Sequence, residues 1–342
     1  MTQSAGVRQQ RLCTLFGIER PVLLAPMAPI AGGRLAAAVS NAGGLGLLGA
    51  GYGDLDWLDA QAELAGDARV GIGLITWNMG DDALTGALAH RPAAVWLSFG
   101  DPTPHIETIH DAGALAICQV GLVDEAVAAV EAGADAIVVQ GSEAGGHGRP
   151  GRALFGLIPA VVDAIGDVPV IAAGGITGPD GLAAAGELGA SGVALGTALY
   201  ATTEANDIDA AKQRLVDAGG DDTIHSTVYD HIRGPLWPPG YTGRSIRTEL
   251  TDRWAGREGE MGSEIGSIKE RYLAAEAESD MTQRVVFAGD GLDRIHNIVP
   301  AETIVHKFPR PLTVLCSVRT ICWSSDFTEP FYGDESFRCL LA

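Results

Sequence analysis

Glu131-Ala132-Gly133-Ala134-Asp135-Ala136-Ile137-Val138-Val139-Gln140 carries three signals in ten residues: an Ala-rich helix end, a glycine that halts it, and a short apolar strand. A glycine just past the last helical turn takes a left-handed conformation that side chains resist, so the chain reverses there. Ala136 to Gln140 is apolar along nearly its whole length, which implies a sheet covered on both faces rather than one with a wet side. The next residues, Gly141-Ser142-Glu143-Ala144-Gly145-Gly146-His147-Gly148-Arg149-Pro150-Gly151-Arg152, set one imidazole in a loop whose glycines let backbone approach a flat ligand closely. A plain surface connection is the simpler interpretation of that loop, and one histidine does not decide between them.

The same unit recurs in both directions along the chain. Asn41-Ala42-Gly43 precedes Leu45 to Gly49, Ala65-Gly66 precedes Val70 to Ile75, and Asp111-Ala112-Gly113 precedes Leu115 to Gln119. Ile165-Gly166 precedes Pro169 to Ala173, and Leu188-Gly189 precedes Gly192 to Gly196. Adding Val22 to Met27 and Ala94 to Phe99 makes eight strands, nearly all continuous apolar runs. Eight such strand–helix units predict an α/β fold, a closed (β/α)8 TIM barrel over residues 12–205. The competing doubly wound open sheet needs a reversal of strand order that the sequence neither shows nor excludes.

After the eighth strand the rhythm ends. Residues 206–280 are richer in charge, with helices expected over Asp207 to Ala218 and Ser263 to Glu278 and a Trp/Pro/Gly loop at Pro235 to Gly243. This segment is read as a smaller helical substrate domain capping the barrel mouth. Arg284 to Ala288 predicts a strand-like piece and Pro300 to Lys307 a short helix, so residues 281–308 are expected to return to the barrel. Residues 309–342 form an atypical C-terminal tail, crowded with three of the five cysteines and without periodicity, and no function is assigned to it.

Composition narrows the function. The chain has 342 residues, 46% hydrophobic, and a net charge of −20, so nucleic acid and anionic membrane surfaces are repelled and a small-molecule ligand is favoured. No long uninterrupted apolar run is present, and Met1 to Arg11 is polar, which suits a cytoplasmic protein. The cysteines, Cys13, Cys118, Cys316, Cys322 and Cys339, include no Cys-x-x-Cys pair, so reduced thiols are expected. Lys212, Lys269 and Lys307 are the only lysines, which leaves the barrel strands without an amine for Schiff-base chemistry.

In this architecture the site forms at the C-terminal ends of the strands. Those ends offer amides, hydroxyls and bare backbone, with no clustered carboxylates and histidines, so no metal site is expected. A neutral, hydrogen-bonding mouth suits a cofactor that brings its own reactivity. Asn78, Gln119 and Gln140 could read the edge of a flavin ring, or simply satisfy loop backbone. Gly174-Gly175 and Gly196-Thr197 close the seventh and eighth strands, each expected directly before a helix, and together could cradle a phosphate without lysine.

These stretches together resemble the nitronate monooxygenase, or 2-nitropropane dioxygenase, family. The resemblance rests on Leu24-Ala25-Pro26-Met27, Ser40-Asn41-Ala42-Gly43-Gly44-Leu45-Gly46, Gln140 through His147, and Ala172 to Ile176 followed by Gly196-Thr197, and it spans residues 12 to 308. It implies noncovalent FMN, with Ala25, Pro26 and Met27 along the ring system, Asn78, Gln119, Gln140 and Gly146 near it, and Gly174, Gly175, Gly196 and Thr197 at the phosphate. It makes His147 the catalytic residue. The implied reaction is oxidation of alkyl nitronates, such as propionate 3-nitronate, by O2 to a carbonyl compound and nitrite. The expected partners are therefore a small nitronate or nitroalkane and O2; a homo-oligomer is compatible with the sequence, which does not fix a number of copies.

Two departures leave the substrate open. Gln119 stands where some family members have lysine, and the family's substrate-contacting tyrosines find no counterpart in residues 280–308. Whether His147 takes an α-proton as a base or offsets a nitronate's charge as a cation is not decided by sequence. A flavin-dependent enoyl-acyl carrier protein reductase using NADH shares the Gly-Gly-His loop, and a flavin carrier without turnover is the alternative of another class. Of the remaining histidines, only His105 is expected on the active face, while His90, His110, His225, His231, His296 and His306 are expected to be solvated.

Overall fold

The computed structural model describes residues 4–234 and 236–311. In chain order the strands are β1 (Val22–Leu24), β2 (Gly46–Gly49), β3 (Val70–Ile75), β4 (Ala94–Ser98), β5 (Leu115–Val120), β6 (Ala136–Gln140), β7 (Gly146–Gly148), β8 (Val170–Ala173), β9 (Gly192–Leu195), β10 (Thr223–Ser226) and β11 (Thr242–Ile246). Eight of them form one parallel sheet in the order β1-β9-β8-β6-β5-β4-β3-β2. The ring closes between its ends through a bridge from Leu23 to Leu45. The barrel is therefore the one expected, and each strand after β1 lies within a residue or two of its apolar run. β1 stops three residues early because Pro26 has no N–H to continue the ladder.

The strands read as continuously apolar because the barrel buries both of their faces. Leu23, Leu47, Trp96, Ile117, Val138 and Ile171 fill the interior, together with Leu12 and Phe16 of the N-terminal helix Ala5–Phe16. Their neighbours Leu24, Leu48, Val95, Cys118, Val139 and Val170 point outward into the layer of helices. Glycine lets the layers meet: a Cβ on Gly46 would fall 1.8 Å from the Ala36 carbonyl oxygen, inside the helix Gly33–Asn41. Cys13 and Cys118 are buried with no disulfide, and burial pushes both thiols up to about 12, so neither is a ready nucleophile.

The segment after β9 differs from the expected helical cap. It holds the helix Ile265–Glu278 around a core of its own made by Tyr229, Ile232, Leu250, Trp254, Ile268 and Tyr272, while the helix Asp209–Asp217 packs Ala211 and Leu215 into the outer core of the barrel. It also contributes β10 and β11, which join β7 in a three-stranded antiparallel sheet ordered β10-β11-β7. The Pro235 to Gly243 loop therefore gives way to strand at Thr242. These strands were illegible because Gly146-His147-Gly148 and Thr242-Gly243-Arg244-Ser245-Ile246 lack an apolar alternation. The Arg284 to Ala288 piece runs beside β11, through Ile246 N to Val286 O at 2.9 Å, Ala288 N to Arg244 O at 3.3 Å and a bridge from Ser245 to Phe287. The short helix near the end is Ala301–Val305. No helix among the described residues is long and apolar enough to cross a membrane. The expectation for the 309–342 tail lies outside the described residues from 312 onward.

Candidate active site

A cavity of about 360 Å³ opens at the C-terminal ends of the barrel strands. Ala25, Pro26 and Met27 form one wall, where Gly73 is bare because a Cβ there would come within 2.2 Å of Pro26. Gln119, Gln140, Gly146 and His147 line another, and Gly174, Gly175, Gly196 and Thr197 close the end. Asn78 does not join them. β3 ends in a single 3-10 turn, Thr76–Asn78, whose Thr76 hydroxyl donates to Ser98 O at 3.0 Å; the turn aims Trp77 at the aromatic wall and leaves Asn78 exposed. Asn78 is thus withdrawn as a ring-contacting residue.

The glycine end is built for an oxygen-rich ligand, though not quite as expected. Gly174 and Gly175 hold φ of 124° and 65°, conformations that L side chains avoid, and so turn their peptides toward the opening. The helix after β8 begins only at Pro179, four residues past Gly175, and the one after Gly196 is a single turn, Thr197–Tyr200. The helix dipoles therefore contribute less than two abutting helices would. What remains is backbone: among the described residues the amides of Gly175, Ile176, Gly196 and Thr197 donate to no protein acceptor. The Thr197 hydroxyl accepts from Gly289 N at 2.9 Å, which leaves its own hydrogen to donate. Nearby, burial raises the Asp290 carboxyl above the ordinary carboxylate range while Arg244 pulls it back down.

A chain of hydrogen bonds fixes the two glutamines. Trp96 Nε1 donates to Gln119 Oε1 at 3.2 Å, Gln119 Nε2 to Gln140 Oε1 at 3.0 Å, and Gln140 Nε2 to His147 O at 2.9 Å. The indole can only donate and the carbonyl can only accept, so both amide orientations follow without choice. Each amide keeps one N–H free for a ligand. Gln140→Leu would strand the Gln119 donor and the His147 carbonyl together. Urea unfolding of that variant is expected to show a loss of about 1–3 kcal/mol.

His147 sits on β7, opposite Gly243 of β11. Its Nε2 lies 2.7 Å from Asp230 Oδ1, and the two side chains are 15% and 7% exposed. Trp237 stacks on the imidazole with centroids 3.8 Å apart and planes 5° from parallel, and Phe287 approaches at 5.4 Å. Trp237 in turn meets Phe99 at 5.0 Å and Trp77 at 5.4 Å, distances at which aromatic rings attract beyond simple burial. Phe99 is held at φ 63°, a backbone strain placed at the rim of the cavity. The loop between β6 and β7 is pinned as well: His225 Nε2 donates to Ser142 O at 3.0 Å, and Arg244 Nε donates to the same oxygen at 3.2 Å.

The pattern of the nitronate monooxygenase family matches residues 9–66 and 78–309. The chain belongs to the nitronate monooxygenase family. A nitronate monooxygenase of Metarhizium robertsii is 38% identical over 284 residues, covering 73% of this chain and 78% of its own. A 5-hydroxy-7a-methyl-1-oxo-octahydro-indene-4-carboxyl-CoA dehydrogenase of Mycobacterium tuberculosis is 37% identical over 249 residues, 71% of this chain and 67% of its own. Among solved structures, FabK from Thermotoga maritima superposes with a TM-score of 0.74 at 31% identity, covering 87% of this chain and 94% of that one. Nitroalkane oxidase from Streptomyces ansochromogenes gives 0.72 at 27% identity, covering 86% and 96%. Membership makes the chain an oxidoreductase by family.

In this nitronate monooxygenase family member, several residues around the cavity escape sequence reasoning. Asp230 lies 83 positions from His147, and no local pattern pairs them. Trp237 was visible only as part of a Pro-rich loop. His225, expected in solvent, is half-buried between Ser142 O and Thr242 Oγ1, and burial holds its imidazole below the ordinary range. His105, expected on the active face, belongs to the helix Thr103–Asp111 and does not line the cavity. At the far end of the cavity Arg284 Nη2 meets Asp207 Oδ1 at 2.7 Å, with the Tyr200 hydroxyl donating to the same carboxylate. That pair ties the returning segment to the end of the barrel.

Proposed function

We propose that the protein binds FMN at the barrel mouth and oxidises alkyl nitronates, such as propionate 3-nitronate, with O2 to a carbonyl compound and nitrite. The observation that carries this proposal is that His147 lines the same cavity as Met27, Gly175 and Gly196, so one small ligand site spans the imidazole and the cradle of unspent amides. In the proposed complex the amides of Gly175, Ile176, Gly196 and Thr197 would hold the phosphate, and the free N–H groups of Gln119 and Gln140 would meet polar atoms of the ring. Bound FMN would supply the electron-accepting chemistry that no side chain here can provide. The protein's own part is to orient a small anion beside His147 and to shield it with Trp237, Phe99 and Phe287.

Oxygen uptake by the purified protein with a panel of nitronates, run beside NADH with an enoyl thioester, tests the proposal. Uptake with nitronates alone supports it; NADH consumption with the thioester supports the reductase alternative. The M. tuberculosis relative, named for a carboxyl-CoA substrate, is the observation that keeps a thioester in the comparison. A yellow protein inert to every donor would favour a flavin carrier. The cradle has its own test. Gly175→Ala puts a Cβ at φ 65° and 3.2 Å from Asp290 Oδ1, and turning the peptide to escape removes one amide from the phosphate. Loss of one such donor is worth about 1.4 kcal/mol, so FMN retention on dialysis is expected to weaken about tenfold.

A further inference from the structure

The short helix Val228–Arg233 carries two charged groups one turn apart and uses them differently. Asp230 is not part of the cavity lining and meets His147 Nε2 at 2.7 Å. Three residues on, about 4.5 Å further along the helix axis, Arg233 lines the cavity and has no ion pair or hydrogen bond among the described residues. The charged groups around it are already engaged: Asp230 with His147, Arg284 with Asp207 Oδ1 at 2.7 Å, and Glu276 Oε1 with the Tyr272 hydroxyl at 2.6 Å. The Arg233 charge still reaches this part of the wall. Burial raises the Tyr52, Tyr229 and Tyr272 hydroxyls, and the guanidinium pulls all three back. In a chain with 43 acidic residues and 23 basic ones, an arginine that faces a cavity and takes no carboxylate keeps its N–H donors for a ligand.

We propose that Arg233 forms an anion subsite for the distal carboxylate of a short two-ended acid whose other end lies beside His147. The planar guanidinium fork matches a carboxylate through two parallel hydrogen bonds. Glu276, on the same wall, repels an anion and so confines it to the fork. Among nitro compounds the subsite favours those that carry a carboxylate over plain alkyl ones of the same length, a consequence that rests on the proposed turnover; the subsite itself does not. Arg233 is exposed, so water competes with the ligand and the preference is modest, about five- to tenfold.

Wild type, Arg233→Gln and Arg233→Lys, each as purified, are compared in two ways. The first is calorimetric titration with succinate, a diacid that cannot form a nitronate, and with butyrate, which has the same number of carbons and a single charge. Arg233→Gln is expected to weaken succinate binding about five- to tenfold and butyrate binding less than twofold, with Arg233→Lys between wild type and Arg233→Gln for succinate. The second is turnover: the ratio of kcat/KM for propionate 3-nitronate to that for its methyl ester should fall by the same factor in Arg233→Gln. No measurable succinate binding by wild type, equal succinate affinity in wild type and Arg233→Gln, or equal losses for succinate and butyrate would overturn the subsite. Wild type inert to both nitronates would defeat the proposed function instead, and the succinate titration would then decide the subsite alone.

Discussion

His147→Asn is expected to leave flavin bound and to lower turnover of a neutral nitroalkane by about 10²- to 10⁴-fold, the usual worth of a positioned general base. Asparagine is polar but shorter, its amide ending near the position of Nδ1, so it does not replace the Nε2 contact with Asp230 and cannot accept and hold a proton. The ligand cradle does not depend on the imidazole: the unspent amides and the Trp96–Gln119–Gln140 chain use only the His147 backbone carbonyl, which the variant retains. Flavin-to-protein absorbance ratios should therefore match wild type while oxygen uptake with nitroethane collapses. The loss on preformed nitronate should be smaller, because no proton has to be taken. Equal nitroethane rates in variant and wild type would remove the imidazole from the mechanism.

Arg284→Met should cost about 3–5 kcal/mol of stability, the range for breaking a buried ion pair and leaving one charge behind. Asp207 is only 5% exposed, and without the guanidinium its carboxylate keeps just the Tyr200 hydroxyl and the Ile208 amide. The size of the effect comes from desolvation more than from the lost attraction. For that reason Arg284→Met combined with Asp207→Leu should recover much of the loss in urea unfolding. A single-variant cost below about 1 kcal/mol would place the pair among surface ion pairs, where the median is near that value.

The barrel was legible because its strands are short, buried on both faces and in six of the eight cases announced by a glycine, as at Gly133 before Ala136 to Gln140. Local signals of this kind survive without knowledge of distant contacts. The cavity wall was legible for the same reason: the ends of the strands carry it, and Met27, Gln119, Gln140, Gly175 and Gly196 all fall there. Asn78 failed because a single turn past a strand end rotates each side chain far from its neighbour, and one residue of error sends it to solvent. Asp230, Trp237 and Phe287 were illegible for a different reason. They reach His147 through the β10-β11-β7 sheet, whose strands are too polar and too glycine-rich to register as strands, so the pairing that brings them together has no periodic trace.

A nitronate added without oxygen to the purified, FMN-loaded protein tests flavin-dependent nitronate oxidation most directly. Anaerobic addition of ethyl nitronate is predicted to bleach the yellow absorbance, admission of air to restore it with release of nitrite, and NADH to leave it unchanged. A protein that stays colourless after incubation with FMN, or one bleached by NADH and indifferent to nitronate, would contradict it.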